Sequence, residues 1–523
     1  MNPLLKKTLT LGFASSMLLS CQKGQLPPGK ADVANQPGIN TKTVRLNATT
    51  VNYSTIITKQ INFILAGQLP SGAMMNTSVP GSRICGYFGN IACLGVLEAP
   101  TATNQTAVKN WMIWYMGKLN GTTNPVTGKS EVAGSIYDYA GSAETTNGTY
   151  DSVDSYASTF LMLAKRYGEL SAANRTWLAG YSYQLTLIGN ALMGCMDNST
   201  NSIPTLYTPD DNDWLTIDSY VHGAKNLMDN AETNQGLKAM VWLQSNVITN
   251  GNPAYYSSVL TSNTSGIESQ LWRSTMYNWN DNGTTGATMS NWSTWYPDAV
   301  SQLYPAMFDV IAPTSARAAN LYGTFNTKYA NWSTGFVNDP TGFPWAAVSY
   351  ASAKMSDFSR TNAYLTYLDS FAGTTQPNNW YNLEAGFAIL AAKVASTAPV
   401  NLALSKTATA SSNTTSAGNS NDGDLGTRWS SAVADNEWWK VDLGSNKTVS
   451  KVIIRWEAAY DTNYSIQTSV DDVTYTNAYT TTIGDGGDDV ITFNATTARY
   501  VKILCTTRVQ PLWGSSFWEV EAY

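Results

Sequence analysis

Thr448-Val-Ser-Lys-Val-Ile-Ile454, Tyr464-Ser-Ile-Gln-Thr-Ser469 and Arg499-Tyr-Val-Lys-Ile-Leu504 are three short runs rich in β-branched residues. Turn-forming clusters such as Gly484-Asp-Gly-Gly-Asp488 separate them. Short β-branched runs between turns predict strands, and the segment that holds them has the length of an ordinary β-sandwich. The sequence therefore predicts an all-β domain over residues 398–523.

The pattern before Ala395-Ser-Thr-Ala-Pro399 is helical. Apolar residues fall at i, i+3, i+4, i+7 and i+11 from Val108 to Leu119, which is one face of a helix. Similar spacing recurs over 177–192, 321–332 and 383–394, and loops rich in Gly, Asn, Thr and Pro lie at 120–135, 196–212 and 280–292. About twelve helices of ordinary length fit residues 47–396. We predict an all-α domain there, arranged as an (α/α)6 toroid.

The N-terminus has the pattern of a bacterial secretion signal. Lys6 and Lys7 precede an apolar stretch that is too short to span a bilayer as a mature helix. It ends in Leu18-Leu-Ser-Cys21, which resembles a lipobox. An ordinary cleaved signal is the alternative. We expect residues 1–20 to be a signal peptide, Cys21 to carry the lipid anchor and 21–46 to be a flexible tether, which would place the protein on the bacterial cell envelope.

Composition narrows the range of partners. Charged residues make up 13% of the chain, the formal net charge is −6, and Trp and Tyr number 18 and 29. This mixture suits contact with neutral polysaccharides, and the absence of a basic cluster argues against nucleic acid. A single histidine argues against a His-based metal site. Cys505 is predicted to be a buried thiol, whereas pairing of Cys85 with Cys93 stays open.

Five motifs of the C-terminal segment occur in the order found in one known family. They are Asn401-Leu-Ala-Leu-Ser-Lys406, Asn421-Asp-Gly-Asp-Leu-Gly-Thr-Arg-Trp-Ser430, Trp438-Trp-Lys-Val-Asp-Leu-Gly444, Tyr464-Ser-Ile-Gln-Thr-Ser469 and Ala498-Arg-Tyr-Val-Lys-Ile503. The segment resembles discoidin domains, also called coagulation factor V/VIII type C domains, whose bacterial sugar-binding relatives are family 32 carbohydrate-binding modules. The resemblance implies a sandwich that binds a glycan through loops at one end.

The same resemblance implies a structural calcium ion and a set of ligand contacts. The matching metal positions are Asp424, Thr427 and Glu519, and the alternative at 421–424 is a metal-free Asx turn. Oxygen atoms of this kind are what Ca²⁺ prefers. The corresponding ligand candidates lie in or beside the loops at 409–416, 431–437, 456–460 and 507–513. They are Glu437, Trp456, Arg508 and Trp513, of which Trp456 fits the core equally well.

Two segments of the helical region resemble six-hairpin glycosidases. They are Tyr150-Asp-Ser-Val-Asp-Ser-Tyr-Ala-Ser-Thr-Phe-Leu161 and Asn226-Leu-Met-Asp-Asn-Ala-Glu-Thr-Asn-Gln-Gly-Leu237. The resemblance is to the superfamily, so it assigns no catalytic pair. Hydrolysis of a glycosidic bond needs two carboxylates on opposite sides of the bond and no cofactor. In a toroid these carboxylates lie at the N-terminal ends of the inner helices.

Several acids satisfy that description. The catalytic candidates are Asp154, Asp211, Asp151, Asp298 and Glu232, and Asp138 and Asp339 lie in similar loops. Asp154 and Asp211 are preferred because aromatic residues flank each of them. The alternative is structural: Asp151 would be an N-cap and Asp154 would be the third residue of the same helix. Glu232, with Asp229, is expected in mid-helix, where it would line the cleft or bond a neighbouring helix, and His222 is expected to be an ordinary helix residue.

Aromatic side chains beside these acids are candidate sugar platforms. They are Tyr150, Trp214, Trp295 and Trp345, although most tryptophans in a helical body belong to the core. The leading hypothesis is a surface glycoside hydrolase with an attached sugar-binding module. A non-catalytic glycan-binding lipoprotein is the second. A polysaccharide lyase on the same toroid is the third, and the expected acidic cleft and the single histidine count against it.

Overall fold

The computed structural model describes residues 51–201, 210–219, 223–281, 290–335, 338–339, 342–371, 376–377 and 379–523. The predicted signal peptide, the lipidation residue Cys21, the predicted tether and His222 lie outside these residues. Within the described residues, no helix has both the length and the apolar character needed to cross a membrane.

Helices occupy the first part of the described chain. They are α1 Tyr53–Ala66, α2 Gly86–Val96, α3 Ala102–Gly117, α4 Asp154–Glu169, α5 Ala172–Ala179, α6 Ser182–Gly194, α7 Leu227–Asn246, α8 Pro253–Gly266, α9 Tyr304–Met307, α10 Ala316–Lys328, α11 Ala346–Lys354, α12 Phe358–Asp369 and α13 Asn382–Ser396. Two short antiparallel pairs join their loops: β1 Arg83–Ile84 with β2 Tyr139–Ala140, and β3 Lys225–Asn226 with β4 Asn280–Asp281. The region is therefore substantially helical, as predicted.

Six helices pack against one another in a closed cycle. The order is α2, α4, α7, α9, α11, α13 and back to α2. We call these the inner helices. Helices α1, α3, α5, α6, α8 and α12 each pack on one or two of them, and α10 follows α9 in the chain. Every residue of α2 is buried, because a helix inside such a cycle has neighbours on all sides.

Glycine allows two of these contacts to be close. A Cβ on Gly386 of α13 would lie 2.6 Å from the carbonyl oxygen of Ile91 in α2, and one on Gly236 of α7 would lie 2.6 Å from Cα of Ser158 in α4. Both distances are shorter than any normal contact. Small residues at these positions therefore set how closely the helix pairs pack.

Three details of the helix predictions are wrong. The segment 177–192 is two helices, since α5 ends at Ala179 and Gly180 and Tyr181 turn the chain before α6. Asp151 is not a cap, because α4 begins at Asp154 itself and Val153 precedes it. Asp229 is not in mid-helix, because α7 begins at Leu227 and Asp229 lies in its first turn, whereas Glu232 lies further inside the helix.

The C-terminal region is an all-β domain. Its strands are β5 Thr407–Ala410, β6 Trp429–Ser430, β7 Glu437–Trp456, β8 Asp461–Ser469, β9 Thr476–Thr481, β10 Asp488–Arg508 and β11 Ser516–Ala522. The strand order is β6-β11-β7-β10-β8-β9, with β5 paired to β7, and all pairs are antiparallel. The three predicted strand runs lie in β7, β8 and β10. Trp429, Trp439 and Phe517 are fully buried in the core between these strands.

The four cysteines that the structure describes are free and buried: Cys85, Cys93, Cys195 and Cys505. Cys85 and Cys93 do not form a disulfide in this structure. Cys505 is the buried thiol that its strand pattern predicts, and burial raises its pKa well above the usual value.

Candidate functional site

The inner and outer helices differ at their N-terminal ends. Six helices outside the cycle begin with a side chain that accepts a hydrogen bond from the backbone: α1, α3, α5, α8, α10 and α12. None of the six inner helices has such a cap. The first N–H groups of a helix have no partner within the helix, and at the inner helices some of them bond other elements: Ala346 N of α11 donates to Glu384, and Asn382 N of α13 donates to the carbonyl oxygen of Asn76.

A hydrogen-bonded network links three inner helices at these ends. Ser155 Oγ of α4 lies 3.0 Å from Asp229 Oδ1 and 2.7 Å from Glu232 Oε2, both of α7. Tyr87 of α2 donates its hydroxyl to Glu232 Oε1 at 2.7 Å, and Asn226 Nδ2 donates to Asp229 Oδ2 at 2.9 Å. The two carboxylates are therefore close neighbours, because both contact one hydroxyl. Sequence reasoning did not select Tyr87 or Ser155.

The two acids of this network differ in exposure. Glu232 has no exposed surface, whereas Asp229 is half-buried. Tyr304 of α9 lies beside Glu232, and burial, reinforced by that carboxylate, raises the pKa of both Tyr87 and Tyr304 well above the usual range. Both hydroxyls therefore stay protonated. Of the pair, only Asp229 can meet a ligand from solvent in this conformation.

Asp154 is buried beside the network and is joined to it through Ser155. It has no exposed surface, and both of its carboxylate oxygens accept hydrogen bonds, Oδ1 from Ser152 Oγ and Ser155 N, and Oδ2 from Thr216 Oγ1. Burial, with the charge of Asp229, raises its pKa well above the usual value. Its contacts tie the start of α4 to the loop at 210–219.

Asp211 belongs to a different cluster. Lys225, with no exposed surface, places its Nζ 2.6 Å from Asp197, 3.0 Å from Asp211 and 2.9 Å from Asp213. In the described part of the chain, these three acids are the one group of His, Cys, Asp or Glu side chains whose ligand atoms all lie within 4.8 Å. The ammonium group of Lys225 contacts all three carboxylates, so the cation of this cluster is a protein side chain. Asp211 is itself exposed.

Aromatic side chains form an arc beside the network. Ring centroids lie 6.0 Å apart for Phe88 and Tyr381, 6.2 Å for Tyr381 and Phe343, 5.3 Å for Phe343 and Trp345, and 4.9 Å for Trp345 and Tyr296. The arc runs from α2 past the starts of α13 and α11 to the loop before α9. Tyr381 and Tyr296 are half-buried, so they offer aromatic surface to solvent.

The other predicted residues of the helical region are mostly buried. Trp295 and Trp345 are 7% and 3% exposed and line a small pocket with Trp332 and Phe343. Trp345 has a left-handed backbone (φ 54°), and its indole N–H donates to Asp339 Oδ2 at 2.6 Å.

Asp298 and Tyr150 are also buried. Asp298 is 5% exposed and accepts hydrogen bonds from the backbone N and Nδ2 of Asn291. Tyr150 is 6% exposed and donates to Glu131 Oε1 at 2.6 Å. Trp214 is half-buried and keeps some exposed surface.

Glu384 is a buried acid that the sequence analysis did not select. It lies in the first turn of α13, is 1% exposed, and accepts a hydrogen bond from the backbone N of Ala346, the first residue of α11. Burial raises its pKa to about 8. A helix start that uses a carboxyl group from a neighbouring helix has no signature in local sequence.

The predicted ligand loops of the β domain are joined by polar contacts. Arg508 Nε donates to Asp435 Oδ1 at 2.8 Å, and Arg508 Nη1 donates to the carbonyl oxygen of Trp513 at 2.8 Å. Glu437 Oε2 accepts hydrogen bonds from Ser411 and Ser412. Arg508 thus lies with Trp513, whose side chain is 49% exposed.

Trp456 differs from the other ligand candidates. It is 4% exposed and packs in the core against Phe517 and Tyr464, and its indole N–H donates to Asp489 Oδ2 at 2.7 Å. Of the two roles considered for it, the structure therefore favours the core.

The predicted calcium position contains a buried acid. Glu519 has no exposed surface, and its oxygens lie 3.2 and 3.3 Å from the backbone N of Gly423. Burial, with the neighbouring Glu521 and Asp422, raises its pKa well above the usual value. Thr427 Oγ1 donates to Asp422 Oδ2 at 2.9 Å, while Asp424 Oδ1 accepts from Gly426 N. A buried carboxyl group facing further oxygen atoms suits a hard divalent cation.

Residues 419–503 match the F5/F8 type C family described as NedA-like, galactose-binding domain. The C-terminal region is an F5/8 type C domain. The protein thus contains a carbohydrate-binding module, and four of the five motifs lie within the matched residues, whereas Asn401–Lys406 precedes them. The family match covers this domain and not the helical region.

Solved structures of binding modules match about a quarter of the chain. A selenomethionine-labelled mutant of chitosan-binding module 1, from a chitosanase/glucanase of Paenibacillus sp. IK-5, is 51% identical (TM-score 0.23) and covers 24% of this chain and 97% of its own. Chitosan-binding module 2 of that enzyme, in complex with chitotriose, is 44% identical (TM-score 0.23), covering 24% and 99%. The CBM32 of AlyQ, in complex with 4,5-unsaturated mannuronic acid, is 31% identical (TM-score 0.20), covering 22% and 93%. No curated protein matches the chain.

Proposed function

We propose that the protein is a glycoside hydrolase of the bacterial cell surface, in which an (α/α)6 toroid cleaves a polysaccharide that the C-terminal module holds. The closed cycle of six inner helices supports the toroid. The observation on which the enzymatic proposal rests is the half-buried carboxylate of Asp229, held by Ser155 and Asn226 where the uncapped inner helices begin.

The proposed catalytic pair is Asp229 and Asp151. Hydrolysis needs one carboxyl group to protonate the leaving glycosidic oxygen and a second carboxylate to activate water or attack the anomeric carbon. Both acids are half-buried. Asp229 lies in the first turn of α7 and Asp151 lies three residues before α4, and these two helices pack together. Glu232, Asp154 and Asp298 are more deeply buried, so they would position other groups instead of touching substrate.

Four variants separate this assignment from the one based on sequence alone. We expect Asp229→Asn and Asp151→Asn to lower kcat by at least about 100-fold, the usual effect of losing an acid–base group. Asp211→Asn and Asp154→Asn should keep most activity, since Asp211 pairs with Lys225 and Asp154 is buried. The assay is release of reducing ends from a panel that includes galactose-containing glycans and chitosan, with circular dichroism to check folding. An inactive Asp211→Asn beside an active Asp229→Asn would move the site to the Lys225 cluster.

The two alternatives give different results in the same assay. Glycan binding without turnover of any member of the panel would indicate the non-catalytic lipoprotein. A lyase would release an unsaturated product that absorbs in the ultraviolet, and it would need a basic tyrosine or histidine. The raised pKa values of Tyr87 and Tyr304 make them poor bases, which counts against this mechanism.

The proposal includes two further features that the sequence predicts. The C-terminal module would hold a structural Ca²⁺ at Glu519 and the 422–427 loop. Cys21 would carry acyl chains that fix the protein to a membrane, because several chains bind far more firmly than one. Mass spectrometry of the protein purified from bacterial membranes would test the lipid: an N-terminal peptide without acyl chains excludes the anchor.

A further inference from the structure

Strand β7 contains an arginine, Arg455, that is buried although it points away from the core of the β domain. Val452, Ile454 and Trp456 alternate into the core of the β domain. Ile453 and Arg455, which point to the opposite face, are nevertheless both 3% exposed. Antiparallel sheets of this kind usually leave that face to solvent. Another part of the chain must therefore cover it.

The cover comes from the helical region. Arg455 Nη2 lies 2.7 Å from Oδ1 of Asp357, the residue that caps α12. The same guanidinium group binds Glu521 Oε1 at 2.8 Å and Asp488 Oδ2 at 2.7 Å, both in the β domain. The arginine thus joins one carboxylate of the helical region to two of the module.

Two more contacts cross the same boundary. Arg360 of α12 places Nη1 2.7 Å from Asp488 Oδ2 and 2.7 Å from Asp357 Oδ2. Ser359 Oγ donates to Glu521 Oε1 at 2.8 Å. The two arginines hold the pKa of Asp357 at about 2, despite its burial. Breaking a buried pair of this kind is costly, because the remaining charge is left without a partner.

The contact lies at the end of the helical region that is opposite the candidate site. The backbone N of Asp357 donates to Ser352 O at the C-terminal end of α11, whereas Ala346 at its N-terminal end donates to Glu384. Nine residues of helix separate the two ends, which is about 13 Å at 1.5 Å per residue. The docked face of the module therefore lies at the C-terminal end of α11, away from Glu384.

We propose that Ile453, Arg455, Asp488 and Glu521 form a docking face that clamps the binding module rigidly onto the helical region, at the end away from the candidate site. The module is then a fixed anchor for the whole body and not a domain that swings on the 397–406 segment. A glycan held by the module keeps the helical region at a set distance and orientation. This inference goes beyond the proposed function and does not depend on hydrolysis.

Distances between two spin labels test the clamp. The labels go on Tyr183→Cys in α6 and Val473→Cys in the β domain, which are 71% and 82% exposed. A Cys21→Ser background limits labelling to these sites, since the four described cysteines are buried. We expect a single narrow distance distribution for the otherwise unchanged chain. A broad distribution in that chain would overturn the proposal.

Charge-removing variants on the two sides of the boundary complete the test. Asp357→Asn keeps an acceptor for the cap of α12 but removes its charge, and Glu521→Gln does the same on the module. Each should at least double the width of the distribution. Asp442→Asn, which breaks the Asp442–Arg499 pair within the β domain, should leave it unchanged. Narrow distributions in both boundary variants would contradict the clamp, and if Asp357→Asn fails to fold, Glu521→Gln decides.

Discussion

The hydroxyl of Tyr87 in α2 donates a hydrogen bond to Glu232 in α7, and the two oxygens lie 2.7 Å apart. These helices do not follow each other in the cycle, because α4 lies between them. The bond therefore links two inner helices that are not neighbours in the cycle. It fixes Glu232, which in turn contacts the Ser155 hydroxyl that also reaches Asp229.

Tyr87→Phe should consequently act through the position of Asp229 and not through substrate binding. We expect kcat to fall about 10-fold, less than the roughly 100-fold that loss of an acid–base group costs, because Asp229 is displaced and not removed, while KM changes little. Steady-state kinetics on the substrate identified in the glycan panel provides the measurement. Tyr53→Phe is the matched control, since its hydroxyl bonds Asn362 on an outer helix. A rise in KM at constant kcat would show that Tyr87 only helps to hold substrate.

The close contact between α2 and α13 predicts a large effect of one methyl group. Gly386→Ala would place a Cβ 2.6 Å from the carbonyl oxygen of Ile91, so the helices must move apart. Overpacking of this kind typically costs about 1–3 kcal/mol. Gly323→Ala in α10 meets no atom within 4 Å and should stabilise the helix by up to about 1 kcal/mol. Urea unfolding of the two variants should therefore shift in opposite directions, and equal shifts would refute the packing argument.

The β domain was predicted well because its signals are local. Thr448 to Ile454 is rich in β-branched residues, as strands are, and the motifs around Trp429 and Trp438 are specific in sequence. The helices were also predicted from local spacing, except where a turn interrupts a continuous pattern. Gly180 breaks the segment at 177–192 although the apolar spacing continues across it, so periodicity alone predicts one helix.

The candidate site was harder to predict because burial and pairing depend on residues far apart in the chain. Asp154 lies beside aromatic residues in sequence, which made it attractive, yet Thr216 and Ser152 enclose its carboxylate. Lys225 gave no signal, since its partners Asp197 and Asp213 come from another loop. Asn226 precedes the first residue of α7 and Asp229 lies three residues further on, a pattern that could have marked this helix start. In the structure, Asn226 bonds the side chain of Asp229 and not the backbone.

Glu384 predicts how stability depends on pH. Its pKa rises from 4.5 to about 8 on folding, so the folded state binds the proton more tightly than the unfolded state. The contribution of Glu384 to the free energy of unfolding is therefore fully present below about pH 4.5, and it is lost as the pH rises toward 8. At about 1.4 kcal/mol per pKa unit, the loss amounts to several kcal/mol.

Glu384→Gln removes this titration but keeps an oxygen that can accept the Ala346 N–H. We expect its free energy of unfolding to vary less between pH 5 and pH 8 than that of the wild-type chain, as measured by urea unfolding at both values. Glu98→Gln provides a control, because Glu98 pairs with Arg166 and should leave the pH dependence as it was. Identical slopes for wild type and Glu384→Gln would argue against a buried, protonated Glu384.

Trp513 is the exposed aromatic residue of the predicted ligand loops, and Arg508 fixes its backbone. Trp513→Ala should weaken glycan binding by the whole chain about 10-fold, because a sugar ring loses an aromatic face worth roughly 1 kcal/mol or more. Leu512→Ala is the matched control, since Leu512 is 80% exposed but offers no ring. Isothermal titration calorimetry would measure both. Equal affinities for the two variants would place the sugar elsewhere on the domain.

Calcium should stabilise the chain through Glu519. A ligand that binds only the folded state adds about 2.7 kcal/mol at 100 times its Kd, so Ca²⁺ should raise the melting temperature and EDTA should reverse the rise. Glu519→Gln should abolish the effect because it removes the one fully buried carboxylate of the site.

Comparing the calcium response of Asp422→Asn with that of Asp424→Asn decides which of these two acids binds the ion together with Glu519. The resemblance implies Asp424, but Asp422 lies beside both Thr427 and Glu519, so we expect the larger loss for Asp422→Asn. A calcium response that survives in Glu519→Gln would rule out this position for the ion.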